Sequence, residues 1–161
     1  MKEKLESAMK LRQEEKYEQS HKILIDLATR FPEDAVISYQ CACSFDVLGQ
    51  ESKAIPYYLK AIQRGLNPKD LLSAYVQLGS TYRTLGQYKE SKETFQKGLK
   101  LFPENRGLQT FYAMTLYNLG EHQQAMEMLF DSLIATTTDA DILRYKRAIT
   151  YYKTQLDKVW E

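Results

Sequence analysis

Glycine and proline are scarce in this chain of 161 residues, seven and four in number. Helix formers dominate in their place, and no segment shows the every-second-residue alternation of a half-buried strand. There are only two cysteines, Cys41 and Cys43. They stand two residues apart, so on a helix their side chains point in different directions and neither pair with each other nor chelate one ion. Such usage fits a reducing, intracellular location, and the expected compartment is the cytoplasm. Long apolar runs are missing: nothing approaches the ~18 apolar residues of a membrane span. The opening MKEKLESAMKLRQEEK is charged throughout and is not a secretory leader. An excess of one charge is missing too. With 22 basic and 21 acidic residues the net charge is +1, which gives no electrostatic case for nucleic acid or an anionic membrane as partner. What is present is a recurrence of apolar residues at threes and fours, the mark of an all-α chain whose length suits one domain, 1–161, with a sizeable core.

That recurrence repeats on a longer scale. Leu-Gly occurs at Leu48-Gly49, Leu85-Gly86 and Leu119-Gly120, 37 and 34 residues apart. Phe-Pro occurs at Phe31-Pro32 and Phe102-Pro103, 71 residues apart, the sum of those two steps. A shared period near 34 marks a stacked supersecondary unit. It divides the chain into repeats at about 1–34, 35–71, 72–105 and 106–139, the second carrying three extra residues near RGLNPKD. Each repeat reads as two helices. The first closes at Gly49, Gly86 or Gly120, where glycine accepts the left-handed conformation; repeat one has Glu15 there instead. The second ends near Pro32, Pro68 or Pro103, with Thr137 in repeat four.

Small residues fall into register. First helices carry Ala8, Ala42, Gly79 and Ala113. Second helices carry Ser20, Ala54, Ser91 and Ala125, followed by Ala61, Gly98 and Ser132, where repeat one has the bulkier Leu27. Large partners complete the pattern: Leu11, Phe45, Tyr82 and Leu116 from first helices, Leu24, Tyr58, Phe95 and Leu129 from second helices. Small alternating with large is how an antiparallel helix pair interdigitates. Pro56 is placed four residues after Ser52, read as an N-cap, so that its missing N–H is one of the helix's orphan donors.

The third repeat carries Tyr75, Leu78, Gly79, Tyr82, Gly86, Tyr88, Phe95 and Pro103, with Ser91 and Gly98 where alanine is usual. In this it resembles the tetratricopeptide repeat (TPR) family. Repeat four (Ala113, Gly120, Ala125) and repeat two (Ala42, Gly49, Ala54, Tyr58, Ala61) match as well, and repeat one keeps Ala8, Tyr17 and Pro32. The resemblance covers about residues 1–139. It implies an α-solenoid whose first helices line a concave face that binds a peptide or helix of another protein. First-helix positions outside the small/large core are then Leu5, Met9 and Arg12; Tyr39, Cys43 and Asp46; Val76, Ser80 and Arg83; Thr110, Met114 and Tyr117. Some members clamp a C-terminal carboxylate with Lys and Asn on the first helices. Here Leu5 and Met9 stand at the first two of those places, so that ligand class does not fit. Met, Val and Tyr suit the apolar stripe of an amphipathic helix or an extended peptide.

Residues 140–161 are predicted as one further helix, the ninth, acting as a cap. Ile142, Tyr145, Ile149, Tyr152, Leu156 and Val159 form one apolar stripe, with Arg144, Arg147, Thr154 and Lys158 opposite and Tyr151 and Trp160 near its edges. Thr138, with Asp141 three residues on, is the expected cap of that helix. One apolar face and one polar face is what the end of a solenoid needs.

No chemistry assembles around this scaffold. There is no Gly-rich phosphate loop, His21 and His122 lie in different repeats without metal-ligand spacing, and the carboxylates sit on polar helix faces. No cofactor, metal or catalytic role is expected. Two functions remain: an interaction module, an adaptor for a partner's peptide or amphipathic helix, or a self-assembling unit that forms a homodimer through the C-terminal helix or the groove.

Overall fold

The computed structural model describes residues 1–161, all of them helix, turn or loop, without a strand. It falls into two compact units, Met1–Gln87 and Tyr88–Glu161, and the division lies between the two helices of repeat three. The first unit holds α1 (Lys2–Gln13), α2 (Tyr17–Arg30), α3 (Ala35–Val47), α4 (Glu51–Arg64) and α5 (Pro68–Thr84), each packed on the next. The second holds α6 (Tyr88–Leu101), α7 (Arg106–Asn118) and α8 (His122–Thr136), again packed in sequence. It ends with two short helices, α9 (Ala140–Arg144) and α10 (Lys146–Tyr152).

The sequence echo corresponds to hydrogen bonds. At the end of each first helix the same two backbone bonds close the turn. Glu15, Gly49, Gly86 and Gly120 donate their N–H to Arg12, Asp46, Arg83 and Tyr117, each at 3.0 Å. The next residues, Lys16, Gln50, Gln87 and Glu121, donate to Leu11, Phe45, Tyr82 and Leu116, each at 2.9 Å. This double bond pattern needs a left-handed residue. The three glycines take φ of 67°, 73° and 78°, and Glu15 takes φ of 59°, the one non-glycine residue at positive φ. The Phe-Pro echo extends two residues further than its own letters. In FPED and FPEN the last residue, Asp34 or Asn105, caps the next first helix by accepting from Ile37 N or Leu108 N at 2.9 Å. Asn67 does the same for α5, accepting from Asp70 N at 3.0 Å just ahead of Pro68 at the first helical position.

The small register positions are all buried or nearly so, from Ala8, Ala42 and Ala113 to Ser20, Ala54, Ser91 and Ala125. Ser20 Oγ donates to the Ala8 carbonyl at 2.8 Å, and Ser91 Oγ meets Thr115 Oγ1 at 2.8 Å, so these hydroxyls are satisfied where helices approach closely. Among the large partners Leu24, Tyr58 and Phe95 are fully buried, whereas Leu129 is 37% exposed.

Three expectations need correction. Pro56 lies beyond the first turn of α4, and Gln50, not Ser52, is at the N-cap, making no side-chain cap bond. The proline therefore removes an interior bond to the Ser52 carbonyl. Both residues are exposed, so water can take that carbonyl. The cap of the tail is Asp139, whose carboxylate accepts from Asp141 N and Ile142 N at 3.0 Å; Thr137 Oγ1 accepts from Asp139 N. The tail itself is not one helix, so there are ten helices rather than nine. It breaks at Tyr145, whose N–H turns to the Ile142 carbonyl, and it stops at Tyr152. Its end is drawn onto α8: Gln123 Nε2 donates to the Lys153 carbonyl at 2.6 Å, and Lys153 Nζ lies 2.8 Å from Asp131 and 3.6 Å from Glu127. Of the predicted stripe only Ile142 and Ile149 are half-buried, while Tyr145, Tyr152, Leu156 and Val159 are exposed.

Candidate functional site

In the first unit the candidate positions lie on α1, α3 and α5. Leu5 and Met9 of α1 and Val76 and Ser80 of α5 are half-buried, each offering part of its side chain to solvent. Arg12 bridges α1 to α3, donating Nη1 to Gln40 Oε1 and Nη2 to the Gln40 carbonyl, both at 2.8 Å. Arg83, near the end of α5, is half-buried. Tyr39 and Cys43 are 6% and 9% exposed, so they leave the set of surface positions. The reason is their place on α3, which is flanked on both sides and contacts α5 as well as α4. The Tyr39 ring sits 6.2 Å from that of Tyr58, and burial pushes its hydroxyl well above the usual tyrosine value.

Asp46 is the best-defined polar group of this face. It accepts from Tyr58 Oη at 2.5 Å and from Thr81 Oγ1 at 3.3 Å. Gln77 Oε1 stands 3.0 Å from the same Tyr58 hydroxyl and takes the Cys43 thiol at 3.1 Å. The residues thus tie α3, α4 and α5 together through one buried hydroxyl. Burial raises the Asp46 carboxyl above the ordinary aspartate value, Glu51 adds to the rise, and the bonds from Tyr58 and Thr81 act against it. No ion pair reaches it. A polar hollow of about 220 Å³ opens beside it, lined by Asp46, Glu51, Gln77, Ser80, Thr81 and Thr84. The sequence pattern pointed to Asp46 and Ser80. Gln77 and Thr81 were missed, and their signal is the spacing 77, 80, 81, 84 on one face of α5.

Both cysteines are free and buried. Burial pushes Cys41 up to about 12 and raises Cys43 as well. His21 packs edge-on against Phe45, ring centres 4.6 Å apart, with Nδ1 2.8 Å from Ser44 Oγ; burial, then Lys53, lowers its pKa. No group of three or more His, Cys, Asp or Glu side chains is placed to hold a metal. No helix is long and apolar enough to cross a membrane.

In the second unit, Thr110 is half-buried and gives its hydroxyl to the Arg106 carbonyl at 2.7 Å. Met114 and Tyr117 are 40% and 64% exposed, and the Tyr117 ring lies 4.8 Å from that of His122. An open hollow of about 640 Å³ on this unit is lined by Glu93, Gln96, Lys97, Leu99, Lys100 and Tyr112, charges of both signs that favour no one ligand.

Comparison with known proteins fits this geometry. The family model described as tetratrico peptide repeat matches residues 35–156. A CTR9 homolog from Arabidopsis thaliana is 31% identical over 115 residues, which is 70% of this chain and 10% of that protein. The chain therefore spans about a tenth of the length of that relative. MamA (residues 41 to the end) from Desulfovibrio magneticus RS-1 superposes with a TM-score of 0.75 at 12% identity, covering 94% of this chain and 84% of that one. YrrB, described as a TPR protein with an unusual peptide-binding site, superposes at 0.71 with 17% identity, covering 94% and 77%. At these identities the structural likeness concerns the fold.

Proposed function

The chain belongs to the tetratricopeptide repeat family, whose members generally mediate protein–protein interactions, and on that premise we propose that it is a non-catalytic adaptor holding a segment of a partner protein. The segment lies across α1, α3 and α5 of the first unit. The observation that carries this reading is the mixed character of that face: partly exposed Leu5, Met9 and Val76 beside a polar hollow centred on Asp46 and Ser80. Apolar side chains of the segment cover the first three. A hydrogen-bond donor, such as an amide or a basic side chain, enters the hollow, where Asp46 and Glu51 meet no cation of their own. Met114 and Tyr117 offer exposed apolar surface at the same register in the second unit. Apolar burial carries most of the affinity, so binding survives moderate salt.

The test is affinity purification with quantitative mass spectrometry, wild type beside a Met9→Ser, Val76→Ser variant whose helical content is checked by circular dichroism. Proteins retained by wild type and lost with the variant are the expected result, with each substitution costing roughly 1–2 kcal/mol of affinity in calorimetry against a partner so found. Identical sets of captured proteins from both would sink the proposal.

A further inference from the structure

Tyr112 of α7 is 8% exposed, and its ring is held beside that of the fully buried Phe95 of α6, the centres 6.1 Å apart. The same register position holds Cys41 in α3 and Leu78 in α5, both buried, so packing this place needs no hydroxyl. Tyr112 also lines the open hollow of about 640 Å³ beside α6. Its hydroxyl accepts from Gln96 Nε2 at 3.2 Å and gives its own proton to no protein group. A buried donor without an acceptor costs stability that an apolar residue would not. Burial raises the pKa of this hydroxyl, so the proton stays in place to be donated.

The rim charges choose no ligand by themselves. The hydroxyl asks for an acceptor, and the charge count then gives its sign. Lys97 and Lys100 stand against Glu93, two cations to one acid, and none of the three enters an ion pair. α7 brings no charge to the wall. Lys92 and Glu121, whose charges also reach the Tyr112 hydroxyl, cancel in an ion pair at 2.6 Å. Glu93 and Lys100 are seven residues apart, about 10 Å along α6, which leaves the lysine end for an anion. Leu99, half-buried, adds apolar wall. We propose that this hollow binds a small organic carboxylate, whose carboxylate accepts from Tyr112 Oη and faces Lys97 and Lys100 while its apolar body lies against Leu99. The volume lies within the range of small-molecule sites, roughly 300–1,000 Å³. The site belongs wholly to the second unit and is independent of the α1, α3 and α5 face.

The experiment is an NMR titration of the isotope-labelled full chain with phenylpropionate, beside acetate and phenylpropionamide. Phenylpropionate should bind in the millimolar range and shift the Gln96 side-chain amide and the backbone amides of Leu99 and Tyr112. Acetate lacks the apolar body and phenylpropionamide lacks the charge, so each should bind at least tenfold more weakly. Tyr112→Phe keeps the ring and removes only the hydroxyl, and Lys100→Gln removes one exposed charge. Each should weaken phenylpropionate several-fold. If the first variant fails to fold, the second decides. Equal binding of the amide, affinity unchanged in either folded variant, or no shifts at these residues would overturn the proposal. Equal binding of acetate would also overturn it, as the mark of an adventitious ion only. Tighter binding of a capped Phe-Glu dipeptide would make the occupant a partner's acidic side chain and overturn the small-molecule assignment. Met9→Ser, Val76→Ser should leave phenylpropionate bound, which separates this site from the docking face.

Discussion

α4 and α8 are built on one pattern, with Ala54 and Ala125, then Tyr58 and Leu129, in matching places, yet the larger residue is fully buried in one and 37% exposed in the other. The difference lies outside both helices. α4 is covered by the seventeen residues of α5, while α8 is followed by helices of five and seven. A repeat residue is therefore part of the core only when the next unit arrives to cover it, which is how nearest-neighbour stacking distributes stability along a solenoid.

The largest expected effect follows directly. Tyr58→Ala should cost roughly 3–5 kcal/mol, because it empties a fully buried site, whereas Leu129→Ala should cost about 1 kcal/mol or less. Urea denaturation of both variants checks the ranking, and equal losses would break the comparison. Tyr58→Phe sharpens it. The ring stays and the hydroxyl goes, so Asp46 loses its shortest bond and the loss should be about 1–2 kcal/mol. The Asp46 carboxyl should then titrate still higher, which carbon-detected NMR reads directly.

Asp46→Asn tests the electrostatics of the same covered seam. Because burial raises the folded-state pKa of Asp46, its contribution is fully present below the ordinary aspartate value and is lost as pH rises through the raised one. Wild type should therefore lose stability relative to Asp46→Asn as pH rises above the ordinary aspartate value, read from denaturant midpoints measured at a series of pH values. The smallest effect concerns the turns. Glu15 holds the left-handed place that glycine fills in the other three repeats, so Glu15→Gly should raise stability by about 0.5–1 kcal/mol, visible as a higher melting temperature.

Most of the fold was legible because it rests on local chemistry that repeats. Glycine at a left-handed turn, proline after a helix and small residues at close approaches each leave a letter in the sequence at the same phase. Glu15 kept the phase even without the letter. What the period could not tell is depth. Tyr39 and Cys43 share the face of Leu5, Val76, Met9 and Ser80, and they are buried because α3 has neighbours on both sides. The tail failed for a related reason. Its stripe of threes and fours is continuous from Ile142 to Val159, but the contacts of Lys153 with α8 and the turn at Tyr145 decide where helix ends. Those are tertiary contacts that periodicity does not encode.

The measurement that bears most directly on the proposed function is chemical-shift mapping of a bound peptide on the labelled protein. The peptide should be selected from a random display library against the Leu129→Gln variant, so that the exposed Leu129 of α8 takes no part. The account predicts that the perturbed amides cluster at Met9, Asp46, Val76 and Ser80 and that Met9→Ser, Val76→Ser removes the effect. Perturbations confined to the exposed sides of α2 and α4, with Met9 and Val76 unmoved, would contradict it.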